Sequence, residues 1–210
     1  MDRIEIIENW LKSQLNQYFK MVPASADASF RRYFRITSDN KTYILMDAPP
    51  NLERIDHFIN ITHKLINAEI NAPKIISFDA KLGFILMTDF GSQTFLDVLD
   101  SSNAYKLYTK ATHSLLKIQT KVDTKGLIDY SGNLLISEMS LFTEWYLKKA
   151  KNFKLEDQDM LSEIFSLISN RALAQDRCFV HRDYHSRNLM FIPKGDLGIL
   201  DYQDAVTGPL

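Results

Sequence analysis

One cysteine in 210 residues leaves no partner for a disulfide within the chain. Cys178 lies in the apolar run Cys178-Phe179-Val180 and reads as a small buried hydrophobe, so no extracellular disulfide framework is implied. A surplus of either charge is missing as well. The formal net charge is −1, which argues against nucleic acid held by bulk electrostatics. No apolar run reaches the length of a membrane span, and there is no repeat, low-complexity tract or long like-charge block. The first residues, MDRIEIIENW, put acids where a secretory signal is basic and then apolar. The expectation is therefore a cytoplasmic protein without a membrane partner. What is present is ordinary: 45% hydrophobic and 24% charged residues, enough for one large domain or two small lobes.

The apolar spacing changes along the chain. Ile4, Ile7, Leu11, Leu15, Tyr18 and Phe19 predict an amphipathic helix over 2–20, which Pro23 cannot prolong. Phe30, Arg32, Phe34 and Ile36 alternate with Arg31, Tyr33 and Arg35, which predicts a strand with the first set on one face. The turn Ser38-Asp39-Asn40-Lys41 leads to a returning strand, Thr42–Met46, ended by Pro49-Pro50. A helix over about 52–68 and short strands at 74–78 and 84–87 complete a small sheet with one helix. After Gly91 the pattern is helical, at roughly 93–100, 103–120, 136–152 and 156–175, with Leu161, Ile164, Phe165 and Ile168 on one stripe. Short apolar runs at 178–180, 188–192 and 197–201 then predict small strands. The fold class expected is α+β and bilobal, with an N-lobe over 1–88 and a mainly helical C-lobe over 89–210.

The stretch HRDYHSRNLM (181–190) carries the chemistry. His181, Asp183 and Asn188 fit H-x-D-x-x-x-x-N, the catalytic-loop pattern of kinases. Thirteen residues beyond Asn188, the apolar strand Gly198-Ile199-Leu200 delivers Asp201. In phosphoryl transfer Asp183 would orient or accept the proton of an attacking hydroxyl. The Asn188 amide oxygen and the Asp201 carboxylate would hold Mg2+ on the nucleotide phosphates, hard oxygens for a hard cation. A rival reading takes His181, Asp183 and His185 as a transition-metal site of a hydrolase, which leaves Asn188 and Asp201 unexplained. The triplet Asp89-Phe90-Gly91 spells a kinase metal motif but comes before the catalytic loop. Its position after a strand is that of the junction between lobes, and Asp201-Tyr202-Gln203 holds the functional place.

HRDYHSRNLM followed by GILDYQDAVTGPL resembles the aminoglycoside-phosphotransferase-like branch of the kinase superfamily, where the loop reads H-x-D-x-H-x-x-N and the metal strand I-D-x-x-D. ASADASFRRYFRI (24–36) and YILMDAPP (43–50) are similar to bacterial anomeric kinases of N-acetylmuramate and N-acetylglucosamine, sugar 1-kinases of cell-wall recycling. The resemblance runs from about residue 24 to 210. It implies a bilobal kinase-like fold, ATP with Mg2+ as cofactors, and an amino-sugar substrate phosphorylated at the anomeric hydroxyl. It also implies Asp183 as catalytic base, Asn188 and Asp201 as metal ligands, and His181, His185 and Asp204 in support. Ser29 in the nucleotide loop, and Met87 and Asp89 at the junction, would contribute to nucleotide binding.

The chain departs from the wider kinase pattern in its nucleotide-binding elements. ASADASF has no glycine where kinases carry G-x-G-x-x-G, and Met46 stands at the strand position of the phosphate-binding lysine. Arg32, on the face of Phe34 and Ile36, is expected to replace that lysine, with Arg31 and Arg35 solvated on the other face. Glu53 and Asp56 are both candidates for the partner acid. The family continues beyond the point where this chain stops, so an incomplete C-lobe is expected. Two other functions stay open: an aminoglycoside antibiotic kinase, for which Glu138, Glu144, Glu156, Asp157, Asp159 and Glu163 would form an acidic face, and an inert nucleotide-binding fragment.

Overall fold

The computed structural model describes residues 2–15, 18–26, 30–153, 157–193 and 195–210. Ser29 and Glu156 lie outside the described residues. Contacts divide the chain into two compact units, 1–115 with 183–203, and 116–182 with 204–210. A boundary at 88–89 follows chain order; the contacts instead group the segment 183–203 with the early sheet.

The first unit is built on a five-stranded antiparallel sheet. Its strands are β1 (Lys20–Ala26), β2 (Arg32–Ser38), β3 (Lys41–Asp47), β4 (Ile75–Asp79) and β5 (Phe84–Thr88), in the order β1-β2-β3-β5-β4. The strand β1 contains Pro23, opposite Phe34, and the register slips between Pro23 and Ser25. An edge strand tolerates this because one side of its backbone needs no partner. The register sets Tyr33 opposite Met46 and Phe34 opposite Leu45, so side chains alternate between two faces.

Each face has its own cover. Phe34, Ile36, Leu45, Phe84 and Leu86 pack under the helix α1 (Arg3–Gln14) through Ile7, Trp10 and Leu11. That helix starts with a capping box, Asp2 with Glu5, and its buried residues recur at three and four. The opposite face carries Met46, Ile85 and Met87, all buried. The helix α2 (Asp56–Asn67) buries Phe58, Ile61, Thr62 and Leu65. Gly83 closes the turn into β5 at φ +73°, with the Ala48 carbonyl oxygen 1.9 Å from where a Cβ would sit, a position only glycine can fill.

A buried carboxylate ties α1 to this sheet. Asp47 is fully buried. Its Oδ1 accepts from Arg3 Nε at 3.0 Å and Nη2 at 2.6 Å, and its Oδ2 accepts from Arg32 Nε at 3.0 Å and Nη2 at 2.6 Å.

The later helices are α3 (Phe95–Val98), α4 (Ala104–Lys121), α5 (Gly132–Leu141), which runs on as a π-helix over Phe142–Ala150, and α6 (Gln158–Leu173). In the second unit α5 packs with α6, and β6 (Arg177–Val180) pairs antiparallel with β9 (Val206–Pro209). The α6 stripe is less buried than its spacing predicts: Ile164 is 42% and Ile168 51% exposed. Among the described residues no helix is long and apolar enough to cross a membrane.

Candidate functional site

The short strands β7 (Leu189–Met190) and β8 (Gly198–Ile199) pair antiparallel, Leu189 opposite Ile199 and Met190 opposite Gly198. With the Leu200 N–H on the Asn188 carbonyl at 2.9 Å, this hairpin returns residue 201 to the side of residue 188. Asn188 Nδ2 then donates to the Asp183 carbonyl at 3.0 Å and to Asp201 Oδ2 at 3.1 Å. One amide thus ties Asp183, Asn188 and Asp201 together. With its N–H groups used in this way, the amide keeps its oxygen as an acceptor for another ligand. Gln203 Nε2 donates to Asp201 Oδ1 at 2.8 Å, so both carboxylate oxygens are oriented.

Asp201 has φ +61°, a left-handed backbone that a non-glycine residue adopts only where its surroundings enforce it. The enforcing neighbour is Tyr202. It is fully buried, stacks on Phe58 with centroids 5.2 Å apart, and shares a 2.8 Å hydrogen bond with the Thr62 hydroxyl. Thr62 donates its one proton to the Phe58 carbonyl at 2.7 Å, so Tyr202 is the donor to Thr62. Burial raises the Tyr202 hydroxyl well above the ordinary phenol range, the Thr62 bond opposes this, and nearby Tyr33 adds to it.

Residues 183–188 are anchored from several sides. Tyr184 donates to the Ala111 carbonyl of α4 at 2.8 Å, and the Leu96 N–H of α3 donates to the Ser186 carbonyl at 3.1 Å. Burial pushes the Tyr184 hydroxyl up to about 12, with Ser114 opposing. The His185 N–H donates to the Asp183 carbonyl at 3.1 Å, and the Asn188 N–H to the His185 carbonyl at 2.9 Å. The Asp183 and His185 side chains face solvent. A catalytic base needs such access, because it must reach the hydroxyl of an incoming substrate.

The triplet Asp89-Phe90-Gly91 has a structural use. Arg35 donates through Nε to Asp89 Oδ2 at 2.7 Å, and through Nη2 to Asp89 Oδ1 at 3.2 Å and the Gly91 carbonyl at 2.7 Å. The Gly91 N–H closes the clamp on Asp89 Oδ1 at 2.9 Å. The Phe90 ring lies on Gly198, where a Cβ would come within 2.4 Å of it. Met87, on β5, is buried and pairs with Ile44 and Ile75. The segment after β5 also pairs with the hairpin, Phe191 N–H to the Gln93 carbonyl at 2.8 Å.

Arg32 does not sit where the alternation argument sends it. It does share a face with Phe34 and Ile36, but that face packs under α1, and the guanidinium is bound to Asp47. Arg31 and Arg35 are not simply solvated either. Arg35 holds Asp89, and the Arg31 side chain is 11% exposed, with Nε 3.9 Å from Glu53 Oε1. Of the two acids considered as partner, Asp56 is occupied by Arg54 at 2.6 Å on the surface.

His181, Arg182 and Asp204 belong to the second unit. His181 is buried just after β6, and Asp204 is exposed. Arg182, at φ +73°, pairs with Glu138 of α5, which also accepts from the Tyr130 hydroxyl. Burial, then the Glu138 hydrogen bond and charge, push Tyr130 up to about 12, with Arg182 opposing. Arg182 was not singled out from the sequence, Tyr202 and Gln203 entered only as the neighbours of Asp201, and Glu138 entered only as one of six acids of a candidate acidic face. Gln203 and Tyr202 follow Asp201 directly; Glu138 sits among helix-surface acids with no distinguishing spacing.

Among the described residues no three or more His, Cys, Asp or Glu side chains gather to hold an ion, which gives the three-ligand hydrolase alternative no support. Asn188 and Asp201 offer a pair of oriented hard oxygens. That donor set fits Mg2+, which keeps water and phosphate oxygens for its other positions.

Residues 20–210 match the model of the phosphotransferase enzyme family. The chain belongs to that family. It is 38% identical over 222 aligned positions to N-acetylmuramate/N-acetylglucosamine kinase of Pseudomonas aeruginosa, covering 99% of this chain and 65% of that protein. It is 33% identical to the protein of the same name from Neisseria meningitidis, covering 100% and 64%. The chain therefore spans just under two thirds of the length of these curated relatives. Among solved structures it is similar to choline kinase LicA from Streptococcus pneumoniae, with TM-score 0.68 and 18% identity over 98% of this chain and 70% of that one. It also resembles the ADP-bound aminoglycoside phosphotransferase APH(2'')-Ib, with TM-score 0.63 and 14% identity over 99% and 71%. The fold of the family member is thus the kinase-like α+β fold.

Proposed function

We propose that this phosphotransferase-family chain moves the γ-phosphoryl group of ATP to the anomeric hydroxyl of an amino sugar, N-acetylmuramate or N-acetylglucosamine, in cell-wall recycling. The observation that carries the reading is the Asn188 amide, bonded at once to the Asp183 carbonyl and the Asp201 carboxylate. Phosphoryl transfer is mostly positioning and electrostatics, so a preassembled base and metal-ligand pair is what the chemistry asks of the protein. The amino-sugar acceptor is supported by the names of the relatives at 33–38% identity.

In this reading Asp183 receives the proton of the attacking hydroxyl. Asn188 and Asp201 would hold Mg2+, which when bound neutralises charge on the phosphates. His185 steadies the loop through its backbone, and Gln203 steadies Asp201. His181 and Asp204 are proposed as further supports on either side of this segment. Met87 and Asp89 flank the adenine-facing junction at 88–89, which the reading takes as the lobe boundary, and Ser29 meets the nucleotide. ATP as donor puts the reaction in the cytoplasm.

Phosphorus NMR with MgATP and, separately, N-acetylmuramate, N-acetylglucosamine and kanamycin tests the reading. The expected product is a sugar 1-phosphate doublet with one or both amino sugars, absent in Asp183→Asn. A phosphorylated kanamycin, or an amino-sugar phosphate undiminished in Asp183→Asn, would contradict it.

A further inference from the structure

Resting on the nucleotide-binding reading above, we propose that Arg35 is a positioning residue for the adenine base. Through Asp89 and the Gly91 carbonyl it fixes the stretch of backbone that the base would meet, and so acts on recognition of the base rather than of the phosphates.

The sheet register aims Arg35 at the segment that follows β5. Arg35 lies opposite Ile44, and Ile44 opposite Met87, so the three stand in one row across β2, β3 and β5. From this row the guanidinium reaches past the end of β5 to Asp89, with Nε on Oδ2 at 2.7 Å and Nη2 on Oδ1 at 3.2 Å. The same Nη2 donates to the Gly91 carbonyl at 2.7 Å. One side chain therefore holds both neighbours of Phe90. Gly91, at φ +90°, turns the chain back so that its own N–H reaches Asp89 Oδ1 at 2.9 Å.

Phe90 is held separately, by its ring against Gly198 of β8. Among the described residues nothing pairs with the Phe90 N–H or carbonyl, so this peptide edge is left to solvent or a ligand. A bound base is oriented by a few polar groups such as backbone N–H and carbonyl groups, and an error of about 1 Å in their placement undoes it. The Asp89 side chain is 2% and that of Arg35 27% exposed. A buried ion pair of this kind brings little net stability, because desolvation of the charges offsets their attraction; its use here is to fix geometry. The planar fork of arginine does this on three acceptor atoms at once, which a lysine cannot reproduce.

The test is calorimetric titration of the whole chain with adenosine and, separately, with magnesium tripolyphosphate, which carries no base. Native protein is compared with Arg35→Lys and with the double variant Arg35→Met, Asp89→Leu, which removes both charges together so that none is left buried alone. The double variant is expected to weaken adenosine by roughly tenfold or more, and Arg35→Lys, which keeps the charge without the fork, by about three- to tenfold. Both should bind magnesium tripolyphosphate as the native chain does. Arg35→Lys carries the test where the double variant fails to fold. Adenosine affinity unchanged in the variants overturns the assignment while the nucleotide-binding reading stands. Equal weakening of adenosine and tripolyphosphate also overturns it, because that is the mark of a structural role. Native chain that binds neither probe overturns the underlying reading itself.

Discussion

Replacing Asp47 by asparagine should destabilise the first unit substantially. The carboxylate is fully buried and serves two guanidiniums, one from each side. An amide of the same shape has one acceptor oxygen, so one arginine loses its partner and the other keeps it without the charge. A hydrogen bond to a charged group is worth about 1.5–3 kcal/mol, and a broken buried pair costs more because a charge is stranded. The arginines soften the cost: the Arg3 side chain is 26% and the Arg32 side chain 47% exposed, so both can turn toward water. The expected loss is about 2–4 kcal/mol. Unfolding entropy near 2.1 cal/mol/K per residue converts each kcal/mol into about 2 °C for a chain this long, so Tm should fall by about 5–9 °C. Thermal melting by circular dichroism reads it directly. Arg3→Met should cost more than Arg32→Met, because Arg3 also bonds the Leu82 carbonyl at 2.5 Å and lies 4.5 Å from the Phe84 ring centroid. A melt of Asp47→Asn within about 1 °C of native would refute the argument that this buried carboxylate fastens α1 to the sheet.

Gly83→Ala should cost more than Gly91→Ala in the same melting assay. At Gly83 a Cβ meets the Ala48 carbonyl oxygen at 1.9 Å, whereas at Gly91 it meets nothing within 4 Å and only the left-handed backbone is paid for, about 1–2 kcal/mol. Tyr130 ionises at about 12 in the folded chain against 10 for an ordinary tyrosine. Between those values the unfolded chain releases the proton and the folded chain keeps it. This contribution is therefore whole below pH 10 and lost as pH rises to about 12, and Tyr130→Phe should flatten that limb in denaturant melts. Under the proposed function, Asp183→Asn lowers transfer to the amino sugar by roughly 10²–10⁴-fold in a coupled ADP assay while MgATP binding stays intact.

The meeting of residues 183, 188 and 201 was legible because it is local: the loop, the β7–β8 hairpin and Asp201 are close in the chain. The sheet was legible for β2 to β5, where alternation and turn residues agree. β1 was not, since Pro23 forbids a central strand and only its position on the edge allows it there. β9 was missed because Val206-Thr207-Gly208-Pro209 has too little apolar pattern to announce pairing with β6. Arg32 shows a different limit. Its shared face with Phe34 and Ile36 follows from the period of a strand, but this sheet buries both faces, and period alone does not say which face α1 covers. The α6 stripe is a third case, because spacing marks an apolar face whether or not the described residues cover it. Asp47 reads as the polar end of a strand until the register and α1 place arginines on both of its oxygens.

In the proposed function Asn188 and Asp201 form the metal and phosphate end of a nucleotide site. Electron paramagnetic resonance of Mn2+ with ADP measures that without depending on the acceptor. The native chain should bind the Mn2+–ADP pair, and Asp201→Asn should lose at least about tenfold in affinity while adenosine binding and the melting curve remain native. Equal binding of Mn2+–ADP by native chain and Asp201→Asn would contradict the site.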